Sequence, residues 1–142
     1  MQIRKLTAKD FEAMTSLWKR ADLPFRPQGR DSRESITRQM NLNPDFFLGA
    51  FEQDRLIGVV VLSCDMRKGW INRLAVAPEC RRKGIARSLI AEAERTFRTR
   101  GVNLFCALID ADNTPSEELF KKCGYAEHSD IIYFSKRDDE SV

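Results

Sequence analysis

The sequence has few of the residues from which metal sites and disulfide frameworks are built. It contains one histidine, His128, and four cysteines, no two of which form a C-x-x-C pair. Because zinc ligands usually occur as closely spaced Cys and His pairs, no structural metal site is expected. Most of the cysteines lie in or beside apolar runs, which predicts reduced, mostly buried thiols and a cytoplasmic protein.

Long apolar runs and the common glycine-rich phosphate loops are also absent. The longest apolar run, Leu56–Leu62, is far shorter than the roughly 20 residues that span a bilayer. Residues Met1–Leu6 lack the continuous apolar stretch of a signal peptide, so we expect a soluble protein that is not secreted. Neither G-x-x-x-x-G-K-[ST] nor G-x-G-x-x-G occurs, which excludes those two nucleotide-binding loops.

What the sequence does contain is the composition of one globular domain. Its 142 residues are 42% hydrophobic and 32% charged, enough for a core beneath a charged surface. We therefore treat residues 1–142 as a single domain. The net charge of +3, from 24 Lys and Arg against 21 Asp and Glu, is too small to indicate a nucleic acid or a membrane as a partner.

Hydrophobic periodicity predicts a mixed α/β domain with the element order βααβββαβαβ. Segments with strand character alternate with amphipathic segments that begin at capping residues and end before glycine or proline. A further strand near Tyr125 is an open alternative, and the tail Lys136–Val142 is expected to be frayed. The predicted strands are Met1–Leu6, Phe46–Glu52, Leu56–Cys64, Gly69–Ala77, Asn103–Ile109 and Ile131–Ser135; the predicted helices begin at Phe11, Asp31, Gly84 and Thr114.

Positive charge is concentrated in one turn, between the strand that ends at Ala77 and the longest helix. Arg81, Arg82, Lys83 and Arg87 surround Gly84, at the position where the helix begins. A helix N-terminus presents unpaired N–H groups, and a glycine there lets an anion approach the backbone, so the turn is suited to phosphate. A solvated surface is the ordinary alternative, and a nucleic-acid patch is a weaker one.

Two motifs in this region and beyond it resemble those of the GNAT acyltransferase superfamily. Arg81-x-x-Gly84-x-Ala86 is similar to the superfamily's coenzyme A signature, [QR]-x-x-G-x-[GA]. The segment from Asn113 to Tyr125 resembles its second motif, an asparagine before a short helix that ends in Gly and an aromatic residue. The element order also agrees, and further segments resemble a YpeA-like branch of small bacterial and archaeal members.

The resemblance implies a GNAT fold, with a mostly antiparallel central sheet, a splayed pair of parallel strands and flanking helices. It also implies acetyl-CoA as co-substrate, with its pyrophosphate on the basic turn and its pantetheine arm along a strand. A backbone N–H near Val76 would stabilise the oxyanion. The implied binding residues are Leu74, Ala75, Val76, Arg81, Arg82, Lys83, Gly84, Ile85, Ala86, Arg87, Asn113 and Phe120.

The catalytic acid and base of many relatives have no counterpart in this chain. Phe120 occupies the position of a tyrosine that protonates the leaving thiolate, and Leu108 occupies that of a glutamate. Asp65 is a candidate base, and Tyr125 or Tyr133 a candidate acid. The ordinary alternatives are a turn residue for Asp65 and a packed ring for Tyr125. Catalysis by positioning, with water carrying the proton, is a third possibility.

The loop Asp22–Arg30 is expected to line the acceptor side, and Arg26 or Arg30 is expected to meet a carboxylate on the acceptor. The leading hypothesis is an N-acetyltransferase that acts on a primary amine, either a small molecule or a protein amine, as a monomer or homodimer. A GNAT-fold module that binds acyl-CoA without catalysis is the alternative. A basic nucleic-acid adaptor is the third.

Overall fold

The computed structural model describes every residue from Met1 to Val142, and its centre is a five-stranded sheet. The strands follow one another in the order β1-β2-β3-β4-β5; the first four are antiparallel, and β4 and β5 are parallel. This confirms the predicted mixed α/β class. The strands are β1 Gln2–Lys5, β2 Phe47–Glu52, β3 Arg55–Cys64, β4 Gly69–Val76 and β5 Phe105–Cys106; the helices are α1 Phe11–Arg20, α2 Arg33–Leu42, α3 Ile85–Thr99 and α4 Thr114–Lys122.

The middle of the sheet is buried on both faces. Consecutive residues of β2 and β3 are buried, which means that both faces of these strands are covered. A tight turn with positive φ at Gln53 (50°) and Asp54 (66°) joins the two strands, as expected of a hairpin. No helix combines the length and the apolar character that crossing a bilayer requires.

Helix α3 packs on the sheet through apolar residues that recur at helical spacing. Ile85, Leu89, Ala93 and Phe97 are all buried, at 5% exposure or less. The glycine at position 58 of β3 permits this packing, because a Cβ there would lie 2.9 Å from Ile85 Cγ2 and 3.0 Å from Leu89 Cδ1. This packing fixes the start of α3 to the sheet. The basic turn, Arg81–Arg87, includes that start and is held in place with it.

A bulge in β4 separates it from β5. Arg73 has a φ of 49°, unusual for a residue with a side chain, and the register against β3 shifts at this point. β4 pairs with β5 only at Gly69–Phe105 and Trp70–Cys106. The predicted strand Asn103–Ile109 is therefore too long, because its later residues face a strand that has turned away.

The prediction of a last strand at Ile131–Ser135 is wrong in this structure, and no strand forms near Tyr125. Ile131, Ile132, Tyr133 and Phe134 are 69–86% exposed and pair with no strand. The paired part of β5 is only two residues long and offers little edge for another strand. The tail that follows returns to the loop between α1 and α2, where Arg26 Nη1 donates to the Glu140 carbonyl over 2.9 Å.

The four cysteines are free thiols, as the sequence predicted, but the prediction that most of them are buried is wrong. Cys80 is buried, whereas Cys64, Cys106 and Cys123 are half-buried. Burial raises the pKa of the Cys106 and Cys123 thiols, which disfavours their thiolates at neutral pH.

Candidate active site

The divergence of β4 and β5 opens a cleft of about 220 Å³. Ile71 and Leu74 of β4 form one wall, and residues 107–110, which follow β5, form the opposite wall. Phe120 of α4 closes the back, and Leu23 and Pro24 from the loop between α1 and α2 complete the lining. Seven of its twelve lining residues are hydrophobic, and the cleft joins elements from both halves of the chain.

The basic turn offers free N–H groups to an anion. None of the amide groups from Arg81 to Arg87 donates a hydrogen bond within the chain, and the first helical amide bond here runs from Ser88 to the Gly84 carbonyl, over 3.0 Å. Arg82 and Gly84 have positive φ values of 64° and 79°. A Cβ on Gly84 would meet no atom within 4 Å, so the space above this backbone is open.

The predicted phosphate-binding residues are thus gathered in one exposed turn. The side chains of Arg81, Arg82, Lys83 and Arg87 are exposed, whereas Ile85 turns into the core and Ala86 is half-buried. The unpaired amides, the positive end of the α3 dipole and the four cations all favour a negative ligand.

The three predicted pantetheine-binding residues form the last part of β4. Ala75 is 4% exposed and faces the core, whereas Leu74 and Val76, one position to either side, are half-buried. Leu74 lines the cleft. The side chains thus alternate between the two faces of the sheet, while the space that β5 vacates lies beside the strand, in its hydrogen-bonding direction.

Asn113 caps α4, a role that the sequence prediction had given to Thr114. Its side-chain Oδ1 accepts the N–H of Ser116 over 3.3 Å, and Thr114 is the first helical residue. The cap is wrong by one residue because Asn is as good an N-cap as Thr and proline follows equally well at the second position. The amide NH₂ of Asn113 donates to nothing within the chain, and the residue lines the cleft.

Asp65 lies in the exposed turn between β3 and β4 and does not line the cleft. Its carboxylate accepts the N–H groups of Lys68, over 2.8 Å, and Arg67, over 2.9 Å. These bonds lower the pKa of Asp65, which weakens it as a base at neutral pH. The assignment of Asp65 as the base stays a prediction, and this geometry gives it no support.

Tyr125 does not line the cleft, and its hydroxyl is bonded to Glu94 of α3. The hydroxyl donates to Glu94 Oε2 over 2.7 Å, and the ring packs edge-on against Phe120 with centroids 5.0 Å apart. Burial, and then the bond to Glu94, raise the pKa of Tyr125 above its usual range. Tyr133 is 69% exposed in the unpaired segment, so both candidate acids stay predictions.

The two positions at which the family resemblance implied an acid and a base do border the cleft. Phe120 is 6% exposed and Leu108 is 58% exposed, and both line it. Neither side chain can exchange a proton. The only carboxylate in the lining is that of Asp110, which is itself exposed.

Arg73 is a cleft residue that sequence reasoning missed. Its guanidinium lies 4.0 Å from the centre of the Trp18 ring, donates to the Pro24 carbonyl, and lies 3.7 Å from Asp31 Oδ2. Burial lowers its pKa, Asp31 opposes that effect and Arg30 adds to it. The available signal was a charged residue in a strand that is otherwise nearly apolar.

The family comparison fits this geometry. The profile of the Acetyltransferase (GNAT) family matches residues 11–125, which include the cleft, the basic turn and α4. The chain belongs to the GNAT acetyltransferase family. An acetyltransferase of Photorhabdus laumondii is 34% identical to this GNAT protein over 138 residues, covering 96% of this chain and 95% of the relative.

Solved structures share the GNAT fold. The PaiA N-acetyltransferase of Thermoplasma acidophilum, in complex with coenzyme A, superposes with a TM-score of 0.76 at 23% identity, over 86% of this chain and 87% of that one. The aminoglycoside acetyltransferase AAC(6′)-Iy, in complex with a bisubstrate analogue, has a TM-score of 0.78 at 21% identity, over 96% and 97%. These likenesses establish the fold of the present chain.

Proposed function

We propose that residues 1–142 form one domain that transfers an acetyl group from acetyl-CoA to a primary amine, by direct attack in a ternary complex. The observation that carries the proposal is the cleft between β4 and β5 together with the basic turn. The turn follows β4 in the chain, and its backbone amides are unpaired. Such a cleft can hold an extended thioester arm, while the turn holds its phosphates.

The chain's own residues would divide the work as follows. Amides from Arg82 to Arg87 bind the pyrophosphate of acetyl-CoA, with Arg81 beside it. The edge of β4 at Leu74–Val76 pairs with the pantetheine arm, and an N–H near Val76 donates to the thioester oxygen. The free NH₂ of Asn113 donates to the co-substrate, and the Phe120 ring excludes water from its thiol end.

Proton transfer limits the range of acceptors. Deprotonating a lysine-like amine at pH 7 costs about 4–5 kcal/mol, whereas an α-amino group costs about 1 kcal/mol. Since no residue in the cleft lining is placed as a strong base, an amine of low pKa is the preferred acceptor, with water as the proton carrier. Catalysis then depends mainly on proximity and oxyanion stabilisation.

Charge in the acceptor loop favours an acceptor that carries an anionic group. Arg73 lines this side of the cleft and Arg30 lies near enough to act on its charge, whereas Arg26 lies in the same loop with its guanidinium donating to the Glu140 carbonyl. Arg26 and Arg30 are the proposed partners of an acceptor carboxylate. If Arg26→Ala and Arg30→Ala both leave the acceptor KM unchanged, that part of the proposal is wrong.

The decisive experiment for the co-substrate site compares two glycines of the same local geometry. Gly84 precedes α3 and Gly101 follows it; both have positive φ, and a Cβ on either would meet no atom within 4 Å. Gly84→Glu and Gly101→Glu therefore carry similar backbone strain, but only the first introduces an anion where phosphate should bind. Acetyl-CoA should raise the Tm of the wild type and of Gly101→Glu, and leave the Tm of Gly84→Glu unchanged.

Thiol release across a panel of amines then tests catalysis. Release of CoA thiol that requires an amine supports the transferase. A shift in Tm with acetyl-CoA, without thiol release on any amine, supports the alternative, a GNAT-fold module that binds acyl-CoA without catalysis. Phe120, Leu108 and the hydrogen bond of the Tyr125 hydroxyl to Glu94 favour that alternative. No shift with acetyl-CoA, together with salt-sensitive binding of DNA or RNA, would overturn both.

A further inference from the structure

Arg73 connects the bulge of β4 to the loop that closes the acceptor side of the cleft. Its side chain is 18% exposed, and it runs from β4 to the loop between α1 and α2. There it donates to the carbonyl of Pro24, one of the two loop residues that line the cleft. It also covers the ring of Trp18, a fully buried residue of α1.

Asp31 receives this arginine at the far end of the same loop. Its side chain is 4% exposed, and its Oδ2 lies 3.7 Å from Arg73 Nη1. The same oxygen accepts the N–H of Arg26 over 2.8 Å, and the N–H of Asp31 donates to the Arg26 carbonyl over 3.1 Å. One carboxylate thus closes the loop on itself and holds it to β4.

The pair is poorly explained as a source of stability. Buried ion pairs often contribute little net stability, because removing the charges from water offsets their attraction. Moreover, Arg73 Nε and Trp18 Nε1, both buried, have no hydrogen-bond partner in the chain. An arginine that is held in a left-handed strand position with an unsatisfied donor is better explained by where it places its neighbours.

We propose that the Arg73–Asp31 pair positions the acceptor wall of the cleft, which makes Arg73 a positioning residue for the amine and not for acetyl-CoA. This inference rests on the proposed function, since it assigns the wall at Leu23 and Pro24 to the acceptor. Arg73 lies in the bulge itself, directly before the cleft residue Leu74. The bulge that opens the cleft therefore also directs the Arg73 side chain to the loop.

Steady-state kinetics test the proposal, with acetyl-CoA and the amine of the panel that gives the fastest thiol release titrated separately. Arg73→Gln and Asp31→Asn should each raise the acceptor KM by about tenfold or more, while the Kd of acetyl-CoA changes by less than about twofold. Arg73→Lys, which keeps the charge but loses the planar fork, should restore part of the loss. Arg38→Gln is the matched control, because Arg38 is an arginine of α2 that is 67% exposed. An unchanged acceptor KM, or an equal rise in the Kd of acetyl-CoA, would overturn the proposal.

Amide hydrogen exchange gives a second readout that needs no activity. Exchange at residues 22–31 should be faster in Arg73→Gln and Asp31→Asn than in Arg38→Gln, while the core amides of α3 stay protected. If exchange in the loop is the same in all three variants, the pair does not position the loop, even if the wild type acetylates an amine. If the loop exchanges faster in the two variants but the wild type acetylates no amine, the proposed function fails, whereas the Arg73–Asp31 pair is still shown to hold the loop. If Arg73→Gln fails to fold, Arg73→Lys and Asp31→Asn decide the same comparison.

Discussion

At the scale of single residues, several side chains that the sequence assigned to the site have a structural role that limits their chemistry. Asn113 caps α4 with its oxygen and leaves its NH₂ free, so the observed cap and the proposed co-substrate role fit one amide. The single hydroxyl of Tyr125 donates its hydrogen bond to Glu94. The Asp65 carboxylate accepts hydrogen bonds from two amides of its own turn.

Two substitutions at Asn113 separate its roles. Asn113→Ala should lower the free energy of unfolding by about 1 kcal/mol, because the cap is lost. Asn113→Asp keeps an oxygen for the Ser116 amide and should leave stability nearly unchanged. Both variants lose the free NH₂ and should raise the KM for acetyl-CoA, as measured by initial rates. If Asn113→Asp behaves as the wild type toward acetyl-CoA, the residue is only a cap.

Tyr125→Phe tests whether the hydroxyl serves the fold or the chemistry. Removing it leaves Glu94 Oε2 without its donor, although Arg98 lies 3.5 Å from the other carboxylate oxygen. We expect the free energy of unfolding in urea to fall by about 1–2 kcal/mol, with kcat within a few-fold of the wild type. A large loss of kcat in a variant of normal stability would instead support Tyr125 as the acid.

At the scale of elements, the site depends on how closely α3 packs on the sheet. The unpaired amides of the basic turn can bind phosphate only if the N-terminal end of α3 is fixed. Ile85 and Leu89 fix it by contacting β3 at Gly58, where a side chain would collide. The bulge at Arg73 has the complementary effect on β4, since it turns the strand away from β5 and opens the cleft.

Gly58→Ala should therefore disturb both stability and the site. The added Cβ would lie 2.9 Å from Ile85 Cγ2 and 3.0 Å from Leu89 Cδ1, so α3 has to move or its side chains have to leave their rotamers. Overpacking of this kind costs about 1–3 kcal/mol in the free energy of unfolding. Urea denaturation measures that cost, and a weaker Tm shift with acetyl-CoA would show that the turn moved. Unchanged stability would mean that the contact is slack.

At the scale of the whole molecule, the small net charge conceals local charges with distinct tasks. The cations of the basic turn are exposed and unpaired within the chain, whereas other arginines hold distant elements together. Glu79, just before that turn, joins Arg20 of α1, 2.6 Å away, and Arg55 of β3. These two bonds link the first helix, the hairpin and the entrance to α3.

Acid should remove the contribution of this link. The Glu79 backbone N–H and then the Arg20 guanidinium lower the pKa of Glu79 to about 2, from an ordinary value near 4.5. Because the folded state has the lower pKa, its stabilising effect is complete above about pH 4.5 and is lost as the pH falls toward 2. The difference in unfolding free energy between the wild type and Glu79→Gln should shrink over that range. Glu52→Gln, at an exposed glutamate of β2, is the control. A difference that does not vary with pH would contradict the assignment.

Local patterns in the sequence predicted much of the fold. Ile85, Leu89, Ala93 and Phe97 recur at helical spacing, and all four are buried. The hairpin at Gln53 and Asp54 follows from short-range turn preferences. Where a strand needs a distant partner, the prediction was less accurate. Phe105–Cys106 is shorter than the apolar run that contains it, and Ile131–Phe134 finds no partner despite its β-branched and aromatic residues.

The sequence by itself identified the family and predicted the basic turn and the residues proposed to bind acetyl-CoA, because the motifs that carry them are made of neighbours in the chain. Only the tertiary structure decided which side chains are free to act. Tyr125 meets Glu94 across 31 positions, and Arg73 meets Pro24 across 49, by contacts that no local spacing encodes. A side chain is engaged in a hydrogen bond or a buried ion pair only when the fold brings its partner within reach, so the acceptor wall could be proposed only from the tertiary structure.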